Sequence, residues 1–381
     1  MSFLSPSSAS KCAGYPTRSL LQSSQFITVL SLVGRRPEEG DVLPVSKFCL
    51  KMRWVEKFSD VPDCEKFFLE GTTPNPPGIL VDGTVQDQNH YKLICQLYNN
   101  IYRFATLYDT TNRIPVFSAY SFTDLPTDRR PSQPWMIEPQ LEDKNIKEMK
   151  TQQELKMLNN KTDIRVDHQA VDADYSATIS SMDLDRGHLF PCQAAPDDAT
   201  VRSTFTLTNA VPQERGFNRG RWCKMECKVR VALMNCKNNN DKIEAYVVTG
   251  AVPNNNNVIL NNRVNIPYLL WTAYCCYNNK DKKWMAGAYW GENKKDNGKI
   301  LNLETLGALE VKLKESYNVD VKVFHDKCPR KVNVQQVESV EEEPGKKREG
   351  SGEGSNKMER TTGELKECDD EDGCDCDCDE K

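Results

Sequence analysis

The chain has no run of roughly 18 apolar residues, the length a bilayer-spanning helix requires. Its longest apolar stretch near the start, Phe26–Val33, is too short, so no membrane span is expected. Histidine is scarce, with four in 381 residues, and no two cysteines stand at Cys-x-x-Cys spacing. Together these shortages argue against a structural zinc site. The first 37 residues contain neither Asp nor Glu. That start is rich in Ser, but its apolar stretch comes late and runs into Gly34, Arg35 and Arg36. A secretory signal places its apolar core earlier and ends at a small-residue cleavage site. Residues 1–48 are therefore read as an N-terminal targeting or unstructured segment, set apart from the fold.

What is present is unevenly distributed. Hydrophobic residues make up 38% and charged residues 28%, as in a globular protein with additional unstructured sequence. The net charge of −5 hides a split. Residues 332–381 hold 17 acidic and 7 basic residues, while the remainder holds 43 basic and 38 acidic. A mildly basic body is compatible with a polyanionic partner. The last fifty residues have little to bury and are expected to form a disordered acidic tail. Its end, Cys374-Asp-Cys-Asp-Cys-Asp-Glu, reads as a solvated acidic terminus before it reads as a cation site. Ten of the 15 cysteines lie between Cys49 and Cys328, which suggests disulfides and an oxidising compartment. Cys275 and Cys276 are adjacent in an expected strand, so they point to opposite faces and need different partners.

A folded domain is expected over 53–328. Tyr91–Tyr98, Arg103–Thr110 and Ile114–Thr123 read as strands, with turn residues at 109–113. Asn145–Leu158 reads as a helix and Thr204–Leu207 as a short strand. Arg219–Leu233 reads as a helix with Trp222, Met225 and Val229 on one buried stripe. Ile243–Thr249, Val264–Tyr277 and Trp284–Trp290 read as strands, Glu304–Tyr317 as a helix and Val319–Phe324 as a last strand. The class is α+β, with a mostly antiparallel central sheet flanked by helices.

Two clusters carry chemistry. The first is Asp185-Arg186-Gly187-His188, where an imidazole suited to proton transfer near neutral pH stands beside an acid and a base. The second runs Asn209, Asn218, Trp222, Glu226, Arg230, with Asn218 at the start of the expected helix. Hard divalent cations take oxygen ligands and keep several waters, so one Asn oxygen can suffice as protein ligand. Asn218 can equally serve as a helix cap. Glu226 and Arg230, four apart on a helix, can pair as an ordinary surface couple. His90, His168 and His325 read as structural or surface residues.

The stretches DRGH at 185–188, TFTLTNAVPQ at 204–213 and FNRGRWCKMECKVR at 217–230 resemble the DNA/RNA non-specific endonuclease family, which has the ββα-metal fold. Three further stretches resemble the endonuclease domain-containing 1-like branch: CEKFFLEGTTPNPPGIL from Cys64, the run from Tyr91 to Tyr120, and PWMIEPQLE from Pro134. The resemblance covers roughly residues 58–328. It implies a metal-dependent endonuclease that cleaves phosphodiester bonds in DNA and RNA with little sequence preference. His188 would be the general base and Asn218 the direct ligand of one Mg²⁺ (or Mn²⁺). Asp185 would hold waters of the metal or orient Asn218. Glu226 would hold such a water or Arg230, Arg186 and Arg230 would sit near phosphate, and Asn209 would support the loop. The family's further arginine has candidates here only in Arg129 and Arg130, at a spacing to Trp135 that departs from the pattern. The partner expected is the phosphate backbone, whose contacts carry no sequence information. The alternative is a nuclease-fold protein that binds nucleic acid or other partners with weak or no cleavage. The cysteines favour secretion or the secretory-pathway lumen, and the acid-free start mildly suits mitochondrial import.

Overall fold

The computed structural model describes residues 56–331, apart from 77, 125–130, 144, 159–164, 177–180, 239, 257 and 296–297. Arg129, Arg130, the expected N-terminal segment and the expected acidic tail lie outside the described residues.

Residues rich in Ile, Tyr, Phe and Val pair into a six-stranded antiparallel sheet. In chain order its strands are β1 (Tyr91–Tyr98), β2 (Ile101–Asp109) and β3 (Ile114–Phe122), then β6 (Ala245–Val252), β7 (Leu269–Asn278) and β8 (Lys283–Glu292). The order across the sheet is β8-β7-β6-β3-β2-β1. The gap in numbering is filled by a separate hairpin, β4 (Leu184–His188) with β5 (Ala210–Glu214). Two long helices follow the hairpin in sequence, α1 (Cys223–Met234) and α2 (Leu306–Tyr317). Thr305 caps α2 by accepting from the Ala308 N–H, and Asn318, at φ 56, ends it in the left-handed region.

Strand alternation gives the sheet two buried faces. One face, including Phe104, Tyr120, Phe122 and Val247, packs against Phe190, Phe217, Trp222, Val229 and Leu233 of the hairpin and α1 region. The other, including Leu107, Phe117, Val248 and Trp271, packs against Phe58, Phe68 and Leu306, Leu309 and Leu313 of α2. The adjacent pair at the end of β7 obeys the same rule. Cys276 joins Cys236 within the first core, and Cys275 joins Cys328 within the second. Cys64–Cys95 is a further bridge in the second core. Cys192, Cys223 and Cys227 also take part in disulfide bonding.

The sheet strands lie close to their expected positions, and four other elements differ. The helix expected over 145–158 spans only Gln152–Leu158, because Lys150–Thr151 pairs with Met136–Ile137 instead. Thr151 and Glu154 form a reciprocal cap, each side chain accepting from the other's backbone N–H, and this sets the helix start. The expected strand at 204–207 makes one bridge, Thr206 with Met136, and then tightens into a 3₁₀ turn at Leu207–Asn209. The helix expected from Arg219 is broken there by a π-type turn over Asn218–Trp222, with non-helical φ/ψ at Gly220. The expected last strand over 319–324 makes only an isolated bridge, Lys322 with Asn75. Its alternation of apolar residues reflects burial of Val321 and Val323 in the second core, not pairing with a neighbouring strand.

Glu138 follows the Met136–Ile137 strand and is wholly buried. Its backbone is held from both sides by Gln169, which accepts from the Glu138 N–H and donates to the Glu138 carbonyl, each at 2.7 Å. Gln140 donates to its Oε2 at 2.8 Å. Burial pushes its carboxyl from 4.5 up to about 8. The folded protein thus keeps a proton that the unfolded chain loses near its ordinary value. This contribution to stability is full below pH 4.5 and is lost as pH rises to about 8. Glu138→Gln is therefore expected to leave the melting temperature nearly unchanged at pH 4.5. It should raise it at pH 8, by the equivalent of a few kcal/mol in order of magnitude. Thermal melts at the two pH values check this, and an equal shift at both would contradict it.

Candidate functional site

The hairpin places the Asp185–His188 stretch. Asp183, at φ 55, turns the chain into β4, and its carbonyl accepts from the Arg215 N–H at 2.9 Å. Pairing then runs Leu184 with Glu214, Asp185 with Gln213, Arg186 with Pro212, Gly187 with Val211 and His188 with Ala210. Alternation puts Arg186 and His188 on one face of β4 and Asp185 and Gly187 on the other. The four consecutive residues are therefore two pairs of neighbours that look in opposite directions.

His188 is largely buried between aromatic rings. Its centroid lies 4.9 Å from those of Trp135 and Phe205, the latter edge-on. Two aromatic walls hold the imidazole plane in one orientation. Arg186 shares the Trp135 wall, with its guanidinium 5.6 Å from that ring and 5.3 Å from Tyr175. Burial pushes the Tyr175 phenol well up, so Tyr175 is a neutral aromatic surface for this cation at neutral pH. Asp172 Oδ1 stands 3.7 Å from Arg186 Nη2.

On the other face, Asp185 is a buried carboxylate surrounded by donors. Asn218 Nδ2 donates to its Oδ2 at 3.3 Å. Arg219 forks onto both oxygens, at 2.7 and 2.8 Å, and Arg215 Nε adds a contact of 3.2 Å to Oδ1. Arg215 also reaches Asp183 Oδ1 at 2.8 Å and the Leu184 carbonyl at 3.2 Å. The expected acid–amide pair is therefore brought together, and two arginines accompany it. Asn218 is not the helix cap. Glu214 caps this segment, accepting from the Phe217 N–H at 2.6 Å. Asn218 instead opens the π-type turn, a distortion frequent at functional sites.

Gln213 lies across the ladder from Asp185, on the same face, and is wholly buried. Its side chain covers Gly187, where a Cβ would stand 2.7 Å from the Gln213 Cβ, so glycine is required there. Neither end of the Gln213 carboxamide has a hydrogen-bond partner among the described residues. An Asn oriented by a carboxylate fits a hydrated hard cation, which takes oxygen ligands and keeps several waters. The described residues contain no cluster of three His, Cys, Asp or Glu that could hold a metal. A site here would accordingly rest on oxygen from Asn218, with Asp185 holding its amide.

Asn209 sits deeper. Its Oδ1 accepts from Ser118 Oγ at 2.8 Å and the Phe190 N–H at 3.0 Å. Its Nδ2 donates to the Phe190 and Thr204 carbonyls, both at 3.0 Å. Ser118 continues through Thr106 to Gln96, so one polar ladder crosses β3, β2 and β1. Asn209 thus docks the loop after His188 onto the sheet. Glu226 accepts from Trp222 Nε1 at 3.1 Å, and Arg230 Nη1 donates to Gln193 Oε1 at 3.1 Å. Both line a groove with Pro191, Ala194, Tyr120 and Thr249. Trp222 is core, as its helical stripe implies. His90 pairs with Asp109 at 2.8 Å and His168 with Glu142 at 2.9 Å, as structural residues do.

Sequence reasoning missed Trp135, Gln213, Arg215 and Arg219. The three arginines at 215, 219 and 221 crowd around Asn218 in the chain, and that density was a usable signal. Nothing in the sequence marked Gln213 as covering Gly187.

Residues 86–329 match the DNA/RNA non-specific endonuclease family. A human endonuclease domain-containing 1 protein is 32% identical over 221 residues, 56% of this chain and 39% of that protein. Its mouse counterpart is 34% identical over 216 residues, 56% of this chain and 38% of that protein. The match therefore spans about two fifths of these relatives. A crystal structure of the EndoG/EndoGI complex aligns over 58% of this chain and 84% of that one, at 18% identity and TM-score 0.38.

Asn209→Ala would strand the Phe190 N–H and the Phe190 and Thr204 carbonyls in the interior and leave Ser118 Oγ with Thr106 alone. The expected loss of stability is on the order of 3 kcal/mol. Denaturant unfolding checks it, and a loss below about 1 kcal/mol would contradict the docking role.

Proposed function

Because the chain belongs to the DNA/RNA non-specific endonuclease family, we propose that it hydrolyses phosphodiester bonds in DNA and RNA with little sequence preference. The observation that carries this reading is the Asp185–Asn218 contact, which ties the Asp185–His188 strand to the turn that opens α1. By donating its amide N–H to Asp185, Asn218 keeps its carbonyl oxygen as the acceptor end. That oxygen is the proposed ligand for one Mg²⁺ or Mn²⁺. A bound divalent ion would supply Lewis-acid neutralisation of the phosphate and of the leaving oxygen.

His188 takes the proton of the attacking water. Trp135 and Phe205 fix the ring plane, so little orientational freedom is lost when substrate binds. Arg186, on the same face of β4 as His188, offers a guanidinium to the phosphate, where negative charge builds up. Asp185 acts on the opposite face by orienting Asn218. Asn209 holds the loop that follows His188. Glu226 and Arg230 act one to two turns along α1, where they brace Trp222 and the Pro191–Ala194 turn. The partner is the phosphate backbone of either nucleic acid.

The disulfides support a place in the secretory lumen or outside the cell. No described helix is long and apolar enough to cross a membrane.

The test is digestion of supercoiled plasmid and of RNA with Mg²⁺. Wild type is expected to cut both, and chelator to abolish cutting. His188→Ala should slow cutting by ~10²–10⁴-fold while leaving oligonucleotide binding largely intact. A folded wild type that binds nucleic acid but cuts neither substrate would move the function to binding alone.

A further inference from the structure

Just past the end of α1 at Met234, away from Asn218 at its start, a polar cleft of about 300 Å³ opens. It is lined by Asn238, Asn240, Glu244, Tyr277 and Trp284, of which Glu244 alone is charged. Its frame is held on several sides. The Cys236–Cys276 disulfide joins the chain leaving α1 to β7. The Glu244 N–H donates to the Cys236 carbonyl at 3.1 Å, and the Tyr277 N–H to the Glu244 carbonyl at 3.2 Å. Tyr277 and Trp284 are cross-strand partners on β7 and β8. Their half-buried rings stand 5.6 Å apart at 65° and form an aromatic corner. Asn238 Oδ1 accepts from the N–H groups of Asn240 and Lys242, at 2.9 and 3.2 Å, which turns its Nδ2 end into the donor.

An aromatic corner offers a stacking surface to any base, whereas a carboxylate beside an amide donor selects among them. A carboxylate only accepts, and its two oxygens take two donors side by side. Guanine alone among the bases presents two adjacent donors, N1–H and N2–H, with the O6 acceptor next to them. Adenine, cytosine and uracil each set a lone pair beside the donor on that edge, and a carboxylate repels it. The Glu244 charge also disfavours phosphate, so the cleft suits a base and not the backbone. Resting on the nuclease reading, we infer that this cleft docks one unpaired guanine of a nucleic-acid strand, stacked on the Tyr277–Trp284 corner, with N1–H and N2–H donating to Glu244 and O6 accepting from Asn238 Nδ2. In a duplex that edge is engaged by cytosine, so only guanine in single strands or loops is read. With 12 residues, α1 is about 18 Å long, so the guanine that is held is not the nucleotide that is cut. Contacts to phosphate stay blind to sequence, and a preference enters through this separate base contact.

The experiment measures binding of short phosphorothioate oligouridylates to the full-length protein in the presence of chelator, with one central position varied among the four bases. Wild type is expected to bind the guanine oligomer about tenfold tighter than the other three. Glu244→Gln should abolish that advantage, leave the other affinities unchanged and cut supercoiled plasmid at the wild-type rate with Mg²⁺. Trp284→Ala should weaken binding of the guanine oligomer by about tenfold. The comparison of bases within wild type carries the test if a variant does not fold. Equal binding of all four oligomers, or a guanine advantage that survives Glu244→Gln, overturns the docking site and leaves the nuclease reading standing. Plasmid cutting that falls together with the guanine advantage shows a structural role for Glu244 and also overturns it. Wild type that binds none of the oligomers and cuts no plasmid overturns the docking site together with the nuclease reading.

Discussion

A buried carboxylate must be compensated, and the compensation of Asp185 organises the rest of the site. Its donors come from three residues within a five-residue stretch, Arg215, Asn218 and Arg219. Satisfying one acid on β4 therefore fixes the path of the chain between β5 and α1. That path includes the π-type turn, which puts Asn218 at the corner where strand and helix meet. The carboxylate is buried while its two arginines stay partly exposed, so its charge is compensated from the solvent side. The interaction acts mainly on geometry: it decides which way the Asn218 amide points.

Everything beneath that corner is built to keep β4 in place. The ladder Gln96–Thr106–Ser118–Asn209 carries hydrogen bonds from β1 across to the loop that follows His188. Buried polar groups of this kind specify one arrangement because each alternative leaves a partner unmet. The two cores do the non-specific work of holding the sheet between its flanking layers. Asn293 adds a tie at the far edge, accepting from the Glu214 N–H and donating to the Pro212 and Pro267 carbonyls. The β4–β5 hairpin is thus bound to both the middle and the end of the sheet.

Much of this was legible in the sequence. Alternating Ile, Tyr, Phe and Val runs placed all six sheet strands to within a few residues, except that β7 begins at Leu269 and not at Val264. The adjacent cysteines had to part company, and Cys275 and Cys276 do so, one into each core. Alternation also implied that Arg186 and His188 share a face, although reading DRGH as one cluster obscured it. The Thr151–Glu154 cap was visible as Thr-Gln-Gln-Glu, yet helix propensity across Asn145–Lys150 masked the start it defines. The strand expected at 319–324 shows the limit of periodicity: burial of alternate residues does not require a pairing partner. Arg215 and Arg219 were hidden for a different reason. Their partner is a carboxylate thirty or more positions earlier, and only the fold brings the two together. The same holds for Trp135, which becomes a wall of the site only when His188 and Arg186 are laid against it.

The proposed chemistry depends most on the Asn218 carbonyl oxygen being where a divalent ion sits. The measurement that tests this most directly is the anomalous difference density of a crystal soaked in Mn²⁺. One peak is expected at about 2.0–2.3 Å from Asn218 Oδ1, with Asp185 reached through water. A peak directly on Asp185 or on Glu226 with none at Asn218, or no peak from a crystal whose protein binds Mn²⁺ in solution, would contradict it.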